Sequence, residues 1–147
     1  MNMTLRNLLG ISLDTVISDR AQAARLLAAA ERNLADANLA GLSAENRFDA
    51  AYKSVMQLAM LALHAHGYRT LTSRPGHHQT AIQSLSMTIG LSAETVRMLD
   101  ALRKQRNLAD YSGDTVPESA VRARVTSATD LMREVKAWLK SHKPELL

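Results

Sequence analysis

The sequence predicts an all-α fold, an antiparallel bundle of four long helices plus one short helix. Three observations carry that prediction. Ala, Leu and Arg are the commonest residues, and these are strong helix formers. Apolar residues recur at three- and four-residue steps between capping residues and glycines. No segment alternates branched and aromatic residues, and no Asn-Gly or Asp-Gly pair divides two strand-like runs.

The punctuation orders the elements. Residues 1–17 form a lead-in, in which Thr4 to Leu9 is a short turn before Gly10. The bundle occupies 18–142. Ser18 is placed to cap DRAQAARLLAAAERNLADANLA, which ends at Gly41. Its alanines suit close packing against a neighbouring helix. Ser43 caps AENRFDAAYKSVMQLAMLALHAH, where Phe48, Tyr52, Val55, Ala59 and Ala62 share a face. From Met56 to Leu63 that helix is apolar on most sides, so it is expected to be the central, most buried element. YRTLTSRPG reads as a loop. HHQTAIQSLSMTI reads as the short helix, with Ile82, Leu85 and Ile89 on one stripe, ending at Gly90.

Ser92 caps AETVRMLDALRKQRNLAD, whose stripe of Val96, Leu99 and Leu102 runs on into Arg103 and Arg106. YSGDTVPE is a turn. Thr115 and Glu118 have the spacing of a capping box around Pro117. The last helix, PESAVRARVTSATDLMREVKAWLKSH, aligns Val121, Val125, Ala128, Leu131, Val135 and Trp138. Its Arg122, Arg124, Arg133, Lys136 and Lys140 read as a solvated face. The tail KPELL, residues 143–147, is expected to be loose.

Bulk properties narrow the function. At 147 residues the chain has the length of one domain. It has no cysteine, which excludes disulfides, thiolate metal sites and cysteine nucleophiles. MNMTLRNLLGISLD lacks the basic and apolar regions of a secretory signal, and MQLAMLAL is too short to span a bilayer. A cytoplasmic protein with no membrane association is therefore expected. The net charge of +4 and pI near 9.8 permit an anionic partner. Aromatic residues make up only 3% of the chain, too few for a base-stacking platform, so recognition would run through phosphate contacts by Arg and Lys.

LRKQRNLADYSGD, residues 102–114, concentrates such contacts. Arg106 lies one turn beyond Leu102, on the packed side of its helix. A structural arginine paired with Asp110 and a phosphate-binding arginine both fit that position. Arg103, Lys104 and Asn107 stand beside it. His77 and His78 open the short helix, whose preceding loop can approach the end of the fourth long helix. Adjacent histidines lack the four-residue spacing of helical metal ligands and no carboxylate follows closely, so neither metal nor cofactor is expected. His64 and His66 are expected to be core or helix-end residues. No P-loop, GxGxxG fingerprint or serine-nucleophile motif is present.

From about residue 19 to about residue 140 the chain resembles a HEPN domain, the higher eukaryote and prokaryote nucleotide-binding family. AERNLADANLAGLSAENRFDAAYKSVMQLAMLALHAHGYR resembles the first two long helices of the family. SRPGHHQTAI resembles its His-bearing loop, and LRKQRNLADY its signature segment. The resemblance implies a homodimeric bundle with the two signature segments facing across a cleft. It implies RNA or a nucleotide as ligand, and a nucleotidyltransferase or antitoxin as partner in a toxin–antitoxin or defence system.

Many members of the family are metal-independent endoribonucleases, in which an arginine holds the scissile phosphate and a histidine moves a proton. Carried over, Arg106 takes the arginine position, Asn107 the polar position after it, and Tyr111 the histidine position. Tyrosine, with an ordinary pKa of about 10, is a poor general base near neutrality. The resemblance therefore implies a catalytically degenerate or atypical member. An active endoribonuclease toxin using Arg106 with Tyr111, and as a further option His77 or His78, and a helical protein-interaction module without a nucleic-acid role, are the alternatives.

Overall fold

The computed structural model describes residues 4–112 and 115–147, and the side chains of 4–105 and 115–147. The chain is mostly helical, with one two-stranded ribbon. After a 3-10 turn at Leu5–Leu8 come β1 (Leu13–Thr15), α1 (Arg20–Ala37), α2 (Ala44–Ala65), β2 (Tyr68–Thr70), α3 (His77–Gln83) and α4 (Leu85–Thr88). Then follow α5 (Ala93–Ser112), α6 (Glu118–His142) and a final 3-10 turn, Pro144–Leu146.

The most buried element is α2, as its apolar sequence predicts. Fourteen of its residues are buried, and α1, α6, α3, α4 and α5 all pack on it. Ser43 caps it as expected, its hydroxyl accepting from Asn46 N–H at 3.2 Å. The most extensive contact of α2 is with α1, whose Ala23, Ala30 and Ala37 recur every seventh residue and are all buried. Small side chains let the two backbones approach. Ser54 Oγ donates to the Ala30 carbonyl at 2.9 Å across that seam.

The structure corrects several local readings. Asp19, not Ser18, caps α1: its carboxylate accepts from Ala21 N–H at 2.9 Å. Ser18 instead donates to the His64 carbonyl at 2.7 Å, near the end of α2, where helical carbonyls lack partners in the ladder. The helix ends at Ala37, ahead of Gly41. YRTLTSRPG is not all loop, because Tyr68, Arg69 and Thr70 pair antiparallel with Thr15, Asp14 and Leu13. Three-residue strands are too short to leave an alternation that can be read in sequence. Gly67 makes the ribbon possible: its φ is +84°, and a Cβ there would sit 3.3 Å from the Val16 carbonyl oxygen.

The short helix is two pieces, α3 and α4, divided at Ser84. Ile82 and Leu85 are buried and Ile89 half-buried, so the predicted stripe survives the break. Ser92 accepts from Thr95 N–H at 3.1 Å, and Val96, Leu99 and Leu102 of α5 are buried as predicted. The helix continues through Tyr111 and Ser112, residues read as turn. Thr115 and Glu118 form no capping box. Pro117 is extended (φ −68°, ψ 147°) and holds the N-cap position without a side-chain bond. Glu118 is thus the first helical residue, too early to reach back, and it pairs with Arg47 at 2.7 Å.

In α6, Val121, Ala128, Leu131 and Val135 are buried, while Val125 and Trp138 are half-buried. Trp138 stacks on His142, with centroids 4.6 Å apart, and meets the tilted His66 ring at 4.9 Å. Arg124 departs most from expectation: it is 0% exposed rather than part of a solvated face. Nor is the tail loose, since Leu146 is buried in the main apolar cluster and its turn packs on α1 and α6. No helix among the described residues is long and apolar enough to cross a membrane.

Candidate functional site

The site is built where α3 meets α2 and α5. Gly76, at φ +78°, turns the chain into α3, so His77 and His78 are its first two residues. A cavity of about 200 Å³ opens there, lined by Tyr52, Gly76, His77, His78, Gln79 and Arg103. Stretches of the chain 24 positions apart at their nearest therefore converge, and three of the lining residues are candidates from the sequence: His77, His78 and Arg103.

Each of these side chains is oriented by a neighbour. Tyr52 Oη lies 3.1 Å from His78 Nδ1. That bond fixes the imidazole's rotation and occupies one ring nitrogen. His77 packs edge-on against His78, with ring centroids 4.4 Å apart. From α5, Arg103 Nε donates to Asp100 Oδ1 at 2.8 Å, one turn back. The pair is mostly buried, with 17% and 14% of the side chains exposed. Asp100 thus braces, through Nε, the guanidinium that lines the cavity.

Lys104, on the adjacent position of α5, is largely exposed and lies 3.9 Å from Asp100 Oδ2. It belongs to the rim rather than the lining. Arg106, Asn107, Asp110 and Tyr111 lie outside the described residues as far as their side chains are concerned. Their backbone continues the same helix from Arg103.

Beneath the cavity sits Arg124, which the sequence reading placed on a solvated face. Its guanidinium carbon lies 3.2 Å from the Phe48 ring centroid and 5.6 Å from that of Tyr52. Arg124 Nη2 donates to the Leu102 carbonyl, and Nη1 lies 3.5 Å from the Phe48 carbonyl. The sequence held the signal for this burial. Position 124 falls three residues after Val121 and four before Ala128, on the apolar stripe itself.

A larger cavity of about 330 Å³ lies by the ribbon, with Leu26, Met60 and Leu63 among its walls. Its titratable groups are held in structural bonds. His64 Nε2 accepts from Asp19 N–H at 3.0 Å, and Arg69 pairs with Asp14 at 3.1 Å. The Arg69 hydrogen bond, chiefly, holds the Asp14 carboxyl below its usual range. Among the described residues no group of three or more His, Asp or Glu is gathered to hold a metal ion.

Fold and site together define a mostly helical protein with a cationic, imidazole-bearing cavity between its second and fifth α-helices. Such a cavity can hold an anion through guanidinium donors. No protein-family model matches the chain, and no curated protein sequence matches it.

Proposed function

We propose that the chain is a HEPN-like domain that binds RNA or a nucleotide as a homodimer, in an arginine-lined cleft that includes Arg103 and Arg106. In this reading it belongs to a prokaryotic toxin–antitoxin or defence system and is catalytically degenerate or atypical at Tyr111. The observation that carries the reading is the convergence of His77, His78 and Arg103 on one cavity. Arg103 reaches that cavity from the helix whose later residues carry RNLADY.

Arginine suits this task because its planar fork donates paired bonds to phosphate oxygens. Asp100 holds the Arg103 fork in place, which reduces the side-chain entropy lost on binding. A second reading, an active metal-independent endoribonuclease, draws on the two imidazoles in the cavity, either of which could move a proton where Tyr111 does so poorly.

One experiment separates the readings. Purified protein is incubated with single-stranded RNA in EDTA, with binding and cleavage measured together for wild type, Arg103→Ala, Arg106→Ala and Tyr111→Phe. Binding that depends on both arginines, without cleavage, supports the binding-only reading. Cleavage lost in the Arg106 and Tyr111 variants supports the nuclease. A wild type that neither binds nor cleaves RNA refutes both RNA readings and leaves a helical interaction module.

A further inference from the structure

We infer that Arg124 is a positioning residue for the cavity, acting on two of its walls from beneath. Its guanidinium stacks under Phe48 and lies 5.6 Å from the centroid of the Tyr52 ring. The hydroxyl at the far end of that ring meets His78 Nδ1 at 3.1 Å. Arg124 thereby supports the ring that orients an imidazole. Through Nη2 it also donates to the carbonyl of Leu102, the residue directly before Arg103. The stretch of α5 that carries Arg103 is thus tied to α6 at the level of the cavity.

The alternative is that Arg124 merely fills space. An apolar side chain of similar volume would do that without the cost of taking a charge out of water. The guanidinium adds direction. Its plane lies against the aromatic face while its edge donates to a chosen carbonyl, which a lysine ammonium cannot reproduce. Tyr52 and Leu102 are fifty positions apart and lie on different helices, yet both are held by this one side chain.

The inference rests on the reading that the cavity binds RNA, but its first readout does not. Full-length protein is labelled at histidine, the His78 resonances are assigned with His78→Ala, and the imidazole is titrated by NMR in wild type, Tyr52→Phe and Arg124→Lys. Among the described residues, the titratable and charged groups that share the cavity with His78 or lie beneath it are His77, Tyr52, Arg103 and Arg124. Thermal melting checks the fold, and anisotropy measures affinity for a short single-stranded RNA.

Tyr52→Phe is expected to melt cooperatively, to move the His78 titration and to weaken RNA binding by about tenfold, the worth of one hydrogen bond. Arg124→Lys is expected to move His78 in the same direction and to weaken RNA binding at least as much. A purely structural arginine would lower the melting temperature and leave the His78 titration of the folded protein unchanged. A folded Arg124→Lys protein with the wild-type His78 titration and RNA affinity overturns the inference. Should Arg124→Lys not fold, Arg124→Met, an uncharged side chain of similar length, decides on the same readout: a moved His78 titration supports the inference and an unmoved one overturns it. Failure of the wild type to bind RNA refutes the RNA reading alone, since the His78 comparison still stands.

Discussion

Arg47 Nη1 lies 2.7 Å from Glu118 Oε1, joining α2 to the first residue of α6. Arg47 Nε donates at 2.9 Å to the carbonyl of Ala37, the last residue of α1. One guanidinium thus gathers the ends of three helices. Glu118 is half exposed, so solvent screens the ion pair. A double-mutant cycle of Arg47→Ala with Glu118→Ala should give a coupling of about 0.5–1 kcal/mol. Arg47→Ala alone should cost more, about 1–2 kcal/mol, because the Ala37 carbonyl also loses its donor. Urea denaturation provides the numbers, and zero coupling would show the contact to be energetically idle.

The final turn carries its own test. Leu146 is 6% exposed, whereas Leu147 is 43% exposed. Leu146→Ala should destabilise the fold by about 2–3 kcal/mol through lost burial and the cavity left behind. Leu147→Ala should change stability by less than about 0.5 kcal/mol. Equal effects of the two substitutions in thermal or urea melts would mean that the tail is not part of the core.

Asp14 and Arg69 make a pH-dependent contact on the ribbon. The carboxyl is lowered from its ordinary value of 3.8, first by the Arg69 hydrogen bond and then by the Thr15 N–H. A group whose folded pKa is depressed stabilises the fold above its unfolded pKa. That contribution is lost as pH falls through the lowered value, so the effect is confined to pH below about 4. Carbon NMR of the Asp14 carboxyl should place its midpoint below the ordinary value, and Arg69→Gln should bring it back up. A wild-type midpoint at the ordinary value would falsify the assignment.

The α1–α2 seam should resist enlargement. Ala30 is fully buried and its carbonyl accepts from Ser54, so Ala30→Leu forces the helices apart. A loss of about 1–3 kcal/mol is expected. Ala28→Leu, on an exposed position of the same helix, is the control and should fall within about 0.5 kcal/mol of wild type. If the two substitutions cost the same, helix propensity rather than packing governs the seam.

The long helices were legible because their signals are local. Ser43 and Ser92 cap where the sequence places them, and the period of Val96, Leu99 and Leu102 matches their burial. The ribbon was not legible, because pairing Leu13 with Thr70 depends on the whole intervening helical hairpin. Ser18 and Asp19 compete for one cap, and the winner is decided by a carbonyl forty-six residues away. In the site, His77, His78 and Arg103 could be named because their residue types are unusual in their places. Tyr52 and Arg124 could not be joined to them, because each first reads as one more position on a helix face. Their roles come from which helices meet, and local periodicity carries no such information.

The ribbon also bears on the order in which the protein is made. Pairing between residues 13–15 and 68–70 closes a circuit around α1 and α2 within the first half of the chain. During synthesis that half emerges first. The helical hairpin can therefore be stapled at its base, with Tyr52 already on α2, before Arg103 or Arg124 has been added to the chain. The residues that furnish the cavity's cationic wall and its buried support then arrive on a platform whose registry is already set.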